Sequence, residues 1–137
     1  MLDYKAGQVY KTTKPFTSIG FDAKERYFIC LGRSSILDSP VYFFSCTTTT
    51  RFENYKDKKT ICIEFEYSPT LFTQPCLICL DDLFDNMTIS EFESYNPKLI
   101  GNINETKIKE IKEKLPKADL SPIIIKDIFA SFLRDGF

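Results

Sequence analysis

The chain has 137 residues, enough for one compact domain and too few for two independent hydrophobic cores. It is 43% hydrophobic and 27% charged with a net charge of −1, which excludes a disordered, fibrous or membrane-spanning chain and a strongly basic polyanion binder. Histidine is absent, which removes Ser-His-Asp and Cys-His catalysis, imidazole proton transfer and every metal site that uses His ligands. Chemistry here falls to Arg, Lys, carboxylates, hydroxyls or thiols.

The opening residues Met1-Leu2-Asp3-Tyr4-Lys5 carry no apolar run of signal-peptide length, and no segment reaches transmembrane length. A cytoplasmic protein with no membrane partner is the expectation. The five cysteines, Cys30, Cys46, Cys62, Cys76 and Cys79, are odd in number and scattered through apolar runs, which suits a reducing compartment. Cys76 and Cys79 form a CxxC. With no second CxxC and no His, and with Leu77 and Ile78 between them, they read as a buried strand ahead of a redox or metal motif.

From Gly7 to about Leu80 the pattern predicts strands. Gln8 to Lys11 is short, and Arg26 to Leu31 and Val41 to Cys46 are apolar and aromatic. In Thr60 to Tyr67, Ile61, Ile63 and Phe65 alternate with Cys62, Glu64 and Glu66, and Pro75 to Leu80 closes the series. Such runs, separated by Gly, Pro, Ser and Asp, predict five short strands in one meander of a small sheet or barrel. The intervening loop from Thr12 to Lys24 is long for a hairpin, and loops of that length are more often functional than idle.

Beyond Leu80 the period changes. Asn104 is a helix cap, and Ile108, Ile111 and Leu115 fall on one helical face until Pro116 ends it. Ile103 and Ile108 stand at the positions of a hydrophobic staple, and Glu105–Lys109 and Glu110–Lys114 are i, i+4 pairs of the favoured orientation. Ser121-Pro122 is a second helix start. The stripe Ile124, Ile125, Ile128, Phe129, Phe132 and Leu133 that follows is wide enough to demand cover from the sheet or a partner.

Charge is uneven. Residues 1–63 hold 10 Lys plus Arg against 6 Asp plus Glu, a balance of +4, and residues 64–137 hold 8 against 13, a balance of −5. The strand half is therefore the basic half, with Lys11, Lys14, Lys24, Arg26, Arg33 and Arg51 flanking loops where they could meet phosphates without reading bases. Phe16, Phe21 and Tyr27 nearby suit the stacking of unpaired bases, and suit a core equally well.

The order of these pieces resembles the MazF, PemK and Kid group of type II toxin-antitoxin ribonucleases. Ala6-Gly7-Gln8-Val9-Tyr10 is similar to the family's opening strand, Arg26 to Leu31 to its second strand, and Val41 to Thr48 to the third strand that ends in a Thr or Ser pair. Cys76 to Asp81 looks like the strand before the Asp-Gln-Ile-Arg motif, and Leu99 to Ile103 like the segment before the family's helix. The chain departs from the family pattern in places, and Ile19-Gly20-Phe21-Asp22-Ala23 stands where the family has a Gly-rich loop. The family's Arg-Pro is Arg26-Tyr27, and the motif reads Asp81-Asp82-Leu83-Phe84, with Phe84 in place of the second arginine.

The resemblance implies a mainly β fold, a small SH3-like barrel over about residues 6–101 packed by C-terminal helices over about 104–134, forming a single domain over 1–137. It implies a toxin that cuts single-stranded RNA without metal or cofactor, acts as a homodimer and is held by an antitoxin. Arg26 takes the place of the catalytic arginine and Thr47 that of the catalytic hydroxyl, with Lys14, Lys24, Thr48 and Arg51 as RNA contacts. The chemistry is self-consistent without histidine. Attack by the RNA's own 2′-hydroxyl needs alignment and charge stabilisation, and a guanidinium can hold two phosphoryl oxygens while a hydroxyl donates a further hydrogen bond. Glu25, beside Arg26, is a weaker candidate for proton acceptor, because neighbours in a strand point to opposite faces. Two other functions share the barrel: a gyrase-poisoning toxin like CcdB acting through the ending Arg134-Asp135-Gly136-Phe137, and a catalytically silent SH3-like interaction module.

Overall fold

The computed structural model describes residues 3–14, 26–33, 61–84 and 87–137, together with the backbone of Phe43–Thr47. The described strands are β1 (Gln8–Thr12), β2 (Tyr27–Arg33), β3 (Phe43–Thr47), β4 (Cys62–Phe65), β5 (Cys76–Cys79) and β6 (Pro97–Asn102). The helices are α1 (Ile89–Glu93), α2 (Glu105–Lys114) and α3 (Pro122–Arg134). The five strands expected from the apolar runs all form, with β4 and β5 shorter than their runs. Their arrangement differs from one meander. The four-stranded sheet has the order β3-β2-β1-β6 and the two-stranded sheet pairs β4 with β5, every pairing being antiparallel. Among the described residues these sheets do not close into a barrel.

The unexpected neighbour of β1 is β6. Its sequence, Pro97-Lys98-Leu99-Ile100-Gly101-Asn102, has no alternation and no fully buried residue. Main-chain pairing with β1 specifies it instead, with a register shift opposite Val9 and Tyr10. α1 was also invisible to pattern reading. It has five residues, too few for a 3.6-residue period to show, and depends on Thr88, whose Oγ1 accepts from the Glu91 N–H at 3.0 Å.

Alternation sorts the sheet residues onto two faces. Val9, Ile29 and Leu31 face one core that they share with Ile63, Phe65 and Ile78 of the small sheet and with Leu80 just after it. α2 adds Ile108 and Ile111 to it, and α3 adds Ile128 and Phe132. On the opposite face Tyr10, Phe28 and Cys30 meet Tyr4, Met87 and the α1 residue Phe92. The rings around Phe92 pack edge to face, with Phe28 and Phe92 centroids 5.0 Å apart and Tyr10 and Phe92 5.8 Å apart.

The C-terminal half follows its sequence closely. Asn104 Oδ1 accepts from Lys107 N at 2.9 Å, Ile103 and Ile108 are both buried, and Glu110 pairs with Lys114 at 3.3 Å and with Lys107 at 3.5 Å. Pro116 lies in a 3-10 turn, Leu115–Lys117, and Ser121 caps α3. The wide stripe of α3 covers the main core, except that Leu133 remains 78% exposed. α3 comes close to β2 because Gly32 carries no side chain. A Cβ there would lie 2.5 Å from the Ser131 side chain, and the backbone φ is +153°. Ser131 Oγ completes the contact with Arg33, accepting from its N–H and donating to its carbonyl, both at 3.2 Å. Among the described residues no helix is long and apolar enough to cross a membrane.

Candidate functional site

Arg26 stands immediately before β2, where β1 ends. Thr12 N donates to the Arg26 carbonyl at 2.9 Å, and Arg26 N donates to Thr12 Oγ1 at 2.9 Å. Both residues are buried, Thr12 completely and Arg26 to 7% exposure. The β2–β3 register pairs Phe28 with Thr47, so positions 26, 28 and 47 fall on the same face of the sheet by alternation. That is the face of the aromatic cluster of Tyr10, Phe28 and Phe92. The backbone therefore brings an arginine position and a threonine position near one another at the end of the β2–β3 pair. Lys24, Thr48 and Arg51 lie outside the described residues, as does Glu25.

Lys14 joins the same end of the sheet. Its N–H donates to the Tyr95 carbonyl at 3.1 Å, and the neighbouring Thr13 Oγ1 donates to the Asn96 carbonyl at 2.8 Å. Asn96 Nδ2 donates back to Thr13 Oγ1 at 2.6 Å, and Asn96 has φ +51°, a left-handed conformation that asparagine tolerates. Tyr95 and Asn96 thus border the Arg26 end although nothing in the family resemblance marked them. The Asn96-Pro97 dipeptide is the turn signal that could have pointed there. Lys11 is at this end too, with its Nζ 5.3 Å from the centre of the Tyr27 ring. Arg33 is not. It closes β2, roughly 20 Å along the strand from Arg26, where it meets Ser131 of α3.

The groups beneath Arg26's face are held protonated. Burial, followed by the nearby Glu93 carboxylate that its hydroxyl bonds at 2.8 Å, raises Tyr4 well above the ordinary phenol range. Burial does the same to Tyr10, whose hydroxyl donates to Gln8 Oε1. Cys30, with its Sγ 3.3 Å from the Tyr4 carbonyl, is pushed up to about 12 by burial. These neutral groups act as packing and hydrogen-bonding elements at ordinary pH and leave proton transfer to groups outside the cluster. Among the described residues no cluster of three or more Cys, Asp or Glu is placed to hold a metal ion.

Two other features of the sequence find their places elsewhere. Asp135 Oδ2 accepts from Ala6 N at 2.9 Å, Phe137 N donates to the Phe132 carbonyl at 2.8 Å, and the Phe137 ring meets Phe132 edge to face. The closing residues are thus docked against Ala6, just ahead of β1, and against α3. Beside them lies a groove of about 590 Å³, lined by Ile108, Phe129 and Phe137 with Lys109, Lys112 and Glu113 at its rim. It has no lining residue in common with the Arg26 end.

Comparison with protein-family models, with curated proteins and with solved structures gives no match for this chain.

Proposed function

We propose that this protein is a toxin-like endoribonuclease of the MazF, PemK and Kid kind. It cuts single-stranded RNA in the cytoplasm without a metal ion and works as a homodimer restrained by an antitoxin. The observation that carries the reading is the β2–β3 register, which puts positions 26 and 47 on one face at the end of the sheet where Lys14 also stands, with Lys11 beside Tyr27 on the opposite face. In this mechanism the 2′-hydroxyl gives up its proton to solvent as its oxygen attacks phosphorus, the P–O5′ bond breaks, and the departing 5′-oxygen takes a proton from water. The products are a 2′,3′-cyclic phosphate and a 5′-hydroxyl. Arg26 stabilises the charge that builds on the phosphoryl oxygens, and Thr47 donates a hydrogen bond to one of them. Lys14, with Lys24, Thr48 and Arg51, holds the flanking phosphates, and the antitoxin blocks them with an acidic segment that folds on binding.

The burial of Arg26 favours a second reading, a catalytically silent interaction module in which the guanidinium is part of the aromatic cluster. Pure protein incubated with single-stranded RNAs of varied sequence in a chelator separates the two. The endoribonuclease reading expects cyclic-phosphate fragments, with a rate about 100-fold lower or less for Arg26→Ala and a smaller loss for Thr47→Val. Intact RNA across all sequences, with circular dichroism showing a folded protein, rejects it in favour of the interaction module.

A further inference from the structure

The CxxC drew attention to Cys76 and Cys79, but β5 separates them. Three residues apart on a strand, they point to opposite faces, and Cys76 is paired in register with Phe65. The register gives Cys79 a different partner, Cys62, directly across on β4. The next pair along is hydrogen-bonded, with Leu80 N donating to the Ile61 carbonyl at 2.9 Å, so Cys62 and Cys79 occupy a non-hydrogen-bonded pair. In such pairs the side chains lie on the same face and the Cα atoms approach to about 4.5 Å, inside the window of about 4.4 to 6.8 Å that a disulfide requires. Both residues are thiols here, and Cys62 is half-buried while Cys79 is buried.

We propose that Cys62 and Cys79 are an oxidation site, forming a reversible cross-strand disulfide that staples β4 to β5 when the protein meets a peroxide. The two sulfurs take distinct parts. Cys62, the more accessible, reacts first: its sulfur attacks a peroxide oxygen, the O–O bond breaks, and a sulfenic acid and water result. The Cys79 sulfur then attacks Cys62 sulfur, the S–O bond breaks, and the departing hydroxide takes the Cys79 proton as water. Two thiols lose two electrons to one peroxide, which becomes two waters. Burial, then the Asp82 carboxylate, pushes the Cys79 thiol up to about 12, so this residue does not compete for the oxidant and serves only to resolve the sulfenic acid. The order of events follows from the environment of each sulfur.

The small sheet is where such a staple has a mechanical effect. β4 and β5 pair only with each other among the described strands, and the segment between them, Glu66–Pro75, is mostly exposed. Closing that loop covalently restricts the unfolded chain and holds together a two-stranded unit that would be marginal by itself.

The test uses the full chain, reduced and then exposed to a small molar excess of hydrogen peroxide, with N-ethylmaleimide labelling in denaturant. The proposal expects two fewer labels than the five cysteines allow, a linked peptide pair containing Cys62 and Cys79, a higher urea midpoint, and reversal of all three by dithiothreitol. Cys62→Ser and Cys79→Ser each lose the link and Cys76→Ser keeps it. Five labels after oxidation, a link through Cys76 or Cys46, or oxidation of Cys62 to a sulfinic acid with no link would each overturn it. The labelling and mapping of the unmodified protein decide the matter even if a serine variant folds poorly.

Discussion

Thr12 and Arg26 close the end of the β1–β2 pair with one main-chain hydrogen bond and two through the Thr12 hydroxyl, which accepts from the buried Arg26 N–H at 2.9 Å and donates to the Arg26 carbonyl at 3.4 Å. Thr12→Val keeps the shape and removes the acceptor. The expected cost is about 1 to 3 kcal/mol, because a buried donor is left without its partner. Thr12→Ser should recover most of it. Urea denaturation of the three proteins measures the difference, and equal midpoints for Val and wild type would show that the hydroxyl is dispensable.

Gly32 and Ser131 set how closely α3 lies on β2. A methyl group at position 32 would meet the Ser131 side chain at 2.5 Å in a backbone region that favours glycine, so Gly32→Ala should destabilise by about 1 to 3 kcal/mol or more. Adding Ser131→Gly relieves the steric part and should restore some of the loss, although it removes the Arg33 hydrogen bonds and adds helix entropy. A double-mutant cycle by urea denaturation reads the coupling, which should be favourable.

Asp81 ties three segments together. Its carboxylate accepts from Ile61 N at 2.7 Å and from Asp119 N at 2.6 Å, fastening the start of β4 and the approach to α3 to the turn after β5. Asp81→Ala should lower stability by at least about 1.5 kcal/mol, the scale of hydrogen bonds to a charged acceptor. Amide hydrogen exchange at Ile61 and Asp119 should rise together in this variant, and protection unchanged at both would refute the assignment.

Alkaline pH should weaken the fold before it affects most neighbouring charges. Cys30 ionises near its ordinary value, about 8.5, in the unfolded chain, but burial holds it up to about 12 in the fold. Above about pH 8.5 the native state therefore keeps a proton that the unfolded state has lost, and stability falls as pH rises, by about 1.4 kcal/mol per pH unit for this one group. Tyr4 and Tyr10, raised by burial, add to the slope above about pH 10. Urea midpoints between about pH 7 and 11 should fall with rising pH, with a shallower start in Cys30→Ala. A flat profile to about pH 10 would contradict it.

What the sequence made legible was whatever a repeating side-chain pattern or a single capping residue specifies. Asn104, Ser121 and Pro122 fixed the helix starts, and the apolar runs located five strands. Pairing was less legible because it depends on distant backbone. Nothing local in Pro97–Asn102 says that it lies beside β1, and nothing in Thr60 to Tyr67 says that its partner is only β5. The candidate site divides in the same way. Arg26, Lys14 and Thr47 are proposed from residue type and order, whereas Thr12 and Tyr95 stand beside Arg26 and Lys14 through hydrogen bonds that no motif announces, and Asn96 is signalled only by the Asn96-Pro97 turn. The CxxC is the buried strand that its sequence predicts, and what the sequence leaves hidden is the partner of Cys79: only the register reveals Cys62.

β1 sits inside the four-stranded sheet, between a neighbour that follows it closely in the chain and β6, which follows far later, and the Ala6 N–H just ahead of it is held by Asp135. A ribosome makes the chain from the β1 end. While β1 and β2 are already outside the exit tunnel, the strand that covers β1's second edge and the helix that seats on β2 do not yet exist. The nascent chain must therefore carry an open, hydrogen-bond-hungry edge on β1 until Pro97–Asn102 has been synthesised, a long exposure that favours capture by holding chaperones and makes slow translation of the second half costly for yield.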